Sequence, residues 1–275
     1  MVTGTAVEQG SQWAETAYEA IAPVYDDFTS HHDYELWLGR LLPRLERRGL
    51  SGRRLLDVGC GTGKSFLPML ERGWEVTACD ISASMVELAR SKAGGAARLS
   101  VADMRELPAA LGEFDLVWSL DDAVNYLLSA EELERALAGM RRNLAPGGLL
   151  MFDVNTLQSY RTFFAETEVR EGTGGRKLIW RGKASPEAAP GSISEASFEV
   201  VGPGGESVIA PELHRQRHFP EEEIRGALER AGLKCLDAFG HHFDVVLEQP
   251  VDELGHSKAV FIAQRDSETR GGGEQ

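Results

Sequence analysis

Three observations predict an α/β fold built on a mostly parallel sheet covered on both faces. From residue 53 to residue 154, short apolar runs alternate with helical patterns, an order that produces parallel strands joined by crossover helices. Between the first run and the first helical pattern lies a turn with glycine at every second position, Gly59, Gly61 and Gly63. The second and third runs each end on an acid, Asp80 and Asp103. Open parallel sheets bind ligands beyond the carboxyl ends of their strands, so glycines and acids together mark one crevice.

Taken in order, residues 1–10 are small and polar and are expected to be disordered. A helix is expected from Ser11 to about Ala22, with Trp13, Ala17 and Ile21 on one stripe, stopping at Pro23. Val24-Tyr25-Asp26-Asp27-Phe28 and His31-His32-Asp33-Tyr34 then lead to a second helix, whose Leu38, Leu41, Leu42 and Leu45 share a face. The core follows as strand 53–58, helix 65–72, strand 75–80, helix 82–92, strands 98–101 and 114–119, helix 130–144 and strand 149–154. Ala145-Pro146-Gly147-Gly148 stops the last of these helices.

Residues 155–219 break the alternation. Strand-like stretches at 177–182, 194–201 and 208–219 are punctuated by Gly174-Gly175, Pro190-Gly191 and Gly202-Pro203-Gly204-Gly205, which predicts inserted antiparallel hairpins. At the carboxyl end of a parallel sheet such an insertion would overlie the crevice as a lid. A helix at 220–231 and strands at 234–239 and 257–263 complete the core. The expected divisions are a helical cap at 1–50, a cofactor-binding core at 51–154, the β insertion at 155–219, a return to the core at 220–266 and a disordered tail at 267–275.

The glycine turn excludes two phosphate-binding motifs by register. A Walker A loop needs glycine five residues before Gly63, where the chain has Val58. A dinucleotide fingerprint needs a third glycine at 64 or 66, where Lys64 and Phe66 stand. Asp57 would repel a pyrophosphate and attract an ammonium group. These residues resemble a known family. Asp57 to Gly63, read as D-V-G-C-G-T-G, is similar to the first motif of the class I S-adenosylmethionine-dependent methyltransferases, with Asp80 and Asp103 as its companions at the next two strand ends.

The resemblance implies a Rossmann-like, seven-stranded, mostly parallel sheet whose last strand enters antiparallel between the fifth and sixth. It implies S-adenosyl-L-methionine as cofactor, held by Asp57, Gly59, Cys60, Gly61 and Gly63. Asp80 would accept from both ribose hydroxyls beside Ile81, and Asp103 from the adenine amino group between Ala102 and Met104, with Leu120 closing the fourth strand. It places the methyl acceptor near Asp121, Asp122, Asn125 and Tyr126. An N-terminal segment carrying Y-D closes over the donor in similar enzymes, which nominates Tyr18 and Tyr25. On the last inserted strand, alternation puts His214, Gln216 and His218 on one face. Tyr18, Tyr25, Asp121 and His218 are thus the catalytic candidates, and Asp122, Asn125, Tyr126 and His214 the acceptor-binding ones.

A formal charge of −14 over 275 residues opposes a polyphosphate partner, so a small-molecule acceptor is expected and nucleic acid is not. The arginines between Arg40 and Arg54 read as the solvated face of a helix. No apolar stretch reaches the roughly 18 residues of a membrane span, and the first residues lack the pattern of a signal peptide. Cys60, Cys79 and Cys235 have no metal-ligand spacing, so no metal or disulfide is expected and a reducing cytoplasm suits the chain. The acceptor reads as a sugar, amine or secondary metabolite methylated on N or O, and a homodimer is admitted. Two other functions remain open at this point: an NAD(P)-dependent oxidoreductase, and a donor-binding protein that does not methylate.

Overall fold

The computed structural model describes residues 6–109, 111–242 and 246–265. Helix α1 runs over Ala6–Ile21, so residues 6–10, expected to be disordered, continue it. Ala6, Glu8 and Gln9 are good helix formers. Residues 1–5 and the tail 267–275 lie outside the described residues. A turn at Ala22–Val24 carries Pro23 and leads into the single-turn α2, Tyr25–Phe28. Helix α3, Tyr34–Arg47, is capped by Asp33, whose side chain accepts from the Leu36 N–H at 2.9 Å. It buries Leu38, Leu41 and Leu45, each worth about 2 kcal/mol of apolar transfer.

Strand β1 (Arg54–Val58), helix α4 (Leu67–Glu71), β2 (Glu75–Asp80), α5 (Ala83–Ala93), β3 (Ala97–Val101) and β4 (Phe114–Ser119) follow the expected alternation. Next come α6 (Ala130–Arg142) and β5 (Leu144–Asn155). Helix α4 is shorter than expected. Gly63 and Phe66 make tight turns before it, and Pro68 sits in its first turn without an N–H to extend it backwards. After α7 (Leu157–Arg161) the chain forms β6 (Thr167–Gly172), β7 (Arg176–Gly182), β8 (Ile193–Val201) and β9 (Ser207–Arg217). It closes with α8 (Glu221–Arg230), β10 (Leu233–His241), β11 (Leu247–Glu248) and β12 (Lys258–Arg265).

The large sheet has the order β11-β10-β12-β5-β4-β1-β2-β3. β3 to β5 are parallel through β1 and β2, and β12 runs antiparallel between β5 and β10. The seven expected strands are thus present in the expected order, with the two-residue β11 added at one edge. One face packs on α6 and α8 through Leu133, Leu137 and Ile224, and the other on α3 through Leu41 and Leu45. The inserted strands form a separate antiparallel sheet, β6-β7-β8-β9. Its apolar face, with Leu178, Trp180, Phe198 and Val200, packs against Ile21 and Val24 of the N-terminal segment. Among the described residues no helix is long and apolar enough to cross a membrane.

Candidate active site

The turn after β1 is held open by its glycines. Gly59, Gly61 and Gly63 have φ of +77°, +52° and +90°, the left-handed region that favours glycine. A Cβ at Gly59 would come within 2.9 Å of the Ala123 methyl, and one at Gly61 would lie 3.6 Å from the Tyr25 ring. The space those side chains would fill is a crevice that also reaches Asp80 and Ile81 after β2, Ala102, Asp103 and Met104 after β3, and Leu120 after β4. Asp80 is buried, and its carboxylate accepts the Gly61 N–H at 2.8 Å and the Ser82 N–H at 3.0 Å. Burial raises its pKa against those bonds. Asp103 accepts from the Arg105 guanidinium at 2.8–3.0 Å.

A second cavity of about 400 Å³ lies between the N-terminal segment and the antiparallel sheet. It shares Tyr18, Tyr25, Asp121 and Tyr126 with the crevice. Tyr18 meets Tyr25, Tyr126 and His214 edge to face, with ring centroids 5.2–6.0 Å apart. The Tyr126 hydroxyl and His214 Nδ1 are 2.8 Å apart, with the direction of that bond set by the tautomer. His214 Nε2 is buried without a hydrogen-bond partner among the described residues. Burial pushes the His214 pKa down to about 4, so the ring is neutral at pH 7.

Where the two spaces meet stands a charge cluster, half-buried at His32, Asp121, Asp122 and Lys258 and fully buried at Asp153. Lys258 Nζ lies 2.8 Å from Asp121, 2.7 Å from Asp122 and 2.9 Å from Asp153, and His32 Nδ1 lies 2.8 Å from Asp121. Asp121 and Asp122 adopt φ of +63° and +54°, a conformation costing about 1–2 kcal/mol for each non-glycine residue. Asp153 offsets it by accepting both their backbone N–H groups, at 2.6 and 2.9 Å. Burial alone would raise Asp121, but Lys258 and His32 hold it well below the ordinary carboxylate range. Burial lifts Asp153 to about 6 despite Lys258. Burial would likewise lower Lys258, and the surrounding carboxylates keep it well above its usual value.

Residues 55–148 match the family described as methyltransferase domain. YqeM of Bacillus subtilis (strain 168), which carries a methyltransferase name, is 31% identical over 220 residues, covering 79% of this chain and 86% of its own. The malonyl-(acyl-carrier protein) O-methyltransferase of Geobacter sulfurreducens (strain ATCC 51573 / DSM 12127 / PCA) is 30% identical over 236 residues, 82% of this chain and 74% of that one. Among solved structures, the sugar N-methyltransferase KedS8 from Streptoalloteichus sp ATCC 53650 has a TM-score of 0.67 at 27% identity, over 88% of this chain and 93% of that one. The chain belongs to the class I S-adenosylmethionine-dependent methyltransferases.

The methyltransferase crevice fits that cofactor. The glycine turn leaves main chain bare toward the ligand, the Asp80 carboxylate keeps lone pairs free beyond its backbone bonds, and Ala102, Asp103 and Met104 line the crevice beyond it. Four expected site residues do not reach either space. Asp57 is sealed beneath the turn, where one oxygen accepts from the Ser65 hydroxyl at 2.5 Å. Burial raises it to about 7, opposed in part by Ser65 and the nearby Trp118 indole. Gly63 packs on the Phe66 ring, which a Cβ would approach to 2.9 Å.

Asn125 is fully buried as a latch. Its Nδ2 donates to the Arg217 carbonyl at 2.8 Å, and its Oδ1 accepts the Asn155 N–H at 2.9 Å. His218 stands beyond the end of β9, where strand alternation no longer holds. Its Nδ1 accepts the Gly191 N–H at 3.1 Å and its Nε2 faces Glu253 at 3.0 Å, so neither nitrogen serves the cavity. The other expected residues, Tyr18, Tyr25, Cys60, Asp121, Asp122, Tyr126 and His214 among them, line one space or both.

Sequence reasoning missed Lys258, His32 and the walls Phe28, Phe163, Trp180 and Phe198. Asp153, an acid inside the apolar run 149–154, was the available signal, because a buried carboxylate requires a partner. Away from the site, His242, Glu248 and His256 bring ligand atoms within 4.8 Å of one another. His256 Nδ1, however, accepts the Asp252 N–H at 2.8 Å, which leaves the ring proton on Nε2, the nitrogen nearest Glu248.

Proposed function

We propose that this methyltransferase modifies a nitrogen or oxygen of a small molecule enclosed in the cavity beneath the antiparallel sheet. The observation that supports this reading is the wall common to crevice and cavity, Tyr18, Tyr25, Asp121 and Tyr126, across which a donor in the one and an acceptor in the other would meet. Asp80 would hold the ribose hydroxyls, and Ala102, Asp103 and Met104 the adenine. Gly59, Cys60, Gly61, Ile81 and Leu120 would shape the rest of the crevice. Bound S-adenosylmethionine supplies an electrophilic methyl group, so the chain's own contribution is alignment of the acceptor to within about 3–3.5 Å and exclusion of water.

Tyr18 and Tyr25, half-buried and edge to face, would exclude that water. The strained turn and Lys258 fix the Asp121 and Asp122 carboxylates at the meeting point. The sugar N-methyltransferase among its relatives supports a small acceptor. The relative acting on an acyl carrier protein marks the macromolecular alternative. The test incubates the protein and methyl-labelled donor with separate small-molecule, protein and RNA fractions of a cell extract. Label is expected in the small-molecule fraction, and label confined to protein or RNA would overturn the proposal.

A further inference from the structure

Resting on that reading of the cavity, we infer that the acceptor is an amine on an apolar, ring-sized body that carries no phosphate. The charge of the cavity sets the first half of the argument. Asp121, Asp122 and Glu168 line it against two fixed cations, Lys258 and Arg170, with His32 already paired to Asp121 at 2.8 Å, and a further carboxylate, Asp153, stands directly behind Lys258, so four carboxylates outnumber these three basic groups. Neither cation is available to an anionic ligand. Lys258 is shared among three carboxylates. Arg170 is held by Glu168 at 2.6 Å and by the Phe28 carbonyl at 2.7 Å. A diphosphate entering here would meet excess negative charge, whereas an ammonium group would relieve that excess.

The second half concerns shape and the orphaned nitrogen. Phe28, Phe163, Trp180 and Phe198 form one continuous aromatic wall, with Phe28 and Trp180 stacked at 6.2 Å, Phe163 and Trp180 at 4.7 Å, and Phe28 edge to face on Phe198 at 4.8 Å. That wall offers an apolar surface, and the hydroxyls and amides that also line the cavity, on Thr29, Asn155, Ser159, Gln216 and Ser257, are already bonded within the protein. Beside that wall, with its ring 5.3 Å from that of Trp180, stands His214, 2% exposed, whose Nε2 has no hydrogen-bond partner among the described residues. A buried polar atom left unpaired costs about 1–3 kcal/mol, and a polar group of the ligand placed between His214 and Asp122 would satisfy it. Apolar wall, unpaired imidazole and paired acids therefore describe one molecule: a ring with an amino group at the end nearest the donor.

The experiment is calorimetric titration of the full chain, saturated first with S-adenosylhomocysteine, with three probes: 2-phenylethylamine, its neutral isostere 2-phenylethanol, and thymidine diphosphate. The amine is expected to bind at least tenfold more tightly than the alcohol, with no binding of the nucleotide. Asp122→Asn, checked for folding by its retained S-adenosylhomocysteine affinity, is expected to bring amine and alcohol within threefold of each other. Equal binding of amine and alcohol to the unaltered protein, tighter binding of the nucleotide, or binding of none of the three overturns the inference, and these comparisons need no variant. Failure in the first titration, with S-adenosylhomocysteine itself, instead falls on the proposed function and removes the ground for this inference too.

Discussion

At the scale of single residues, the site is governed by what burial does to charge. Among the described residues Lys258 is the one cation touching Asp121, Asp122 and Asp153 together, so Lys258→Met would leave Asp122 and the fully buried Asp153 without a cation and Asp121 with His32 alone. Removing one partner of a buried ion pair costs about 3–5 kcal/mol, and urea unfolding is expected to show a loss of that order. Without the lysine the carboxylate pKa values rise in the folded state, and groups with raised values lose their contribution as pH rises. The deficit should therefore be larger at pH 8 than at pH 5. His214 has the opposite sign. Its folded value of about 4 lies below its ordinary 6.5, so the stability it contributes is present above pH 6.5 and lost as pH falls toward 4. That gap corresponds to about 3 kcal/mol. The difference in unfolding free energy between the unaltered protein and His214→Gln should shrink by that order across this window, while His31, also lowered to about 4, stays common to both. Asp80 supplies the third expectation. Asp80→Ala should weaken S-adenosylhomocysteine binding by about 1.5–3 kcal/mol, and an unchanged dissociation constant would remove it from the ribose.

At the scale of elements, the two sheets divide the work. Every residue lining the crevice falls between Ala14 and Leu127, whereas β7, β8 and β9 give the cavity Trp180, Phe198, His214 and Gln216. Trp180→Ala is accordingly expected to lower stability by about 3–5 kcal/mol yet leave the S-adenosylhomocysteine dissociation constant within twofold. A tenfold loss of donor affinity would show that the antiparallel sheet also shapes the crevice. The same division explains what was legible in the sequence. Glycine turn, strand-end acids and apolar runs are local signals, and they located the sheet, the crevice and Asp80 and Asp103 without any tertiary knowledge, whereas Leu120 came from the family resemblance. The cavity was only half legible, because its walls come from residues as far apart as Phe28 and Lys258 that meet only once both sheets are formed. Lys258 could not be paired with Asp153 until the register of β12 on β5 was known, which sets Val260 opposite Asp153. His218 and Asn125 were misread for a common reason. Their polarity satisfies backbone groups of neighbouring loops and strands, and such service looks the same in sequence as ligand binding.

At the scale of the whole molecule, the segment between Tyr25 and His32 ties the two sheets into one unit. Toward the parallel sheet, Asp26 accepts from the Thr62 hydroxyl at 2.6 Å and pairs with Lys92, while Lys64 donates to the Thr29 carbonyl at 2.6 Å. Toward the antiparallel sheet, Asp27 accepts from Thr173 at 2.8 and 3.0 Å, and Arg170 donates to the Phe28 carbonyl. Gln216 of β9 is joined to Asn155 of β5 at 2.9 Å and to Asp122 at 2.6 Å. A ligand that fills the crevice thus touches Tyr25 on a segment that both sheets hold. Binding to the native state alone stabilises it by about 2.7 kcal/mol at a ligand concentration 100 times the dissociation constant. For a chain of this size, that corresponds to a rise in Tm of about 5–10 °C. Scanning calorimetry with S-adenosylhomocysteine is expected to show one transition displaced as a whole by that amount. A second transition that the ligand leaves in place would mean that the antiparallel sheet melts on its own and that the clamp between Tyr25 and His32 does not couple acceptor cavity to donor crevice. A single displaced transition would establish that the cavity is assembled by the same cooperative unit that binds the donor.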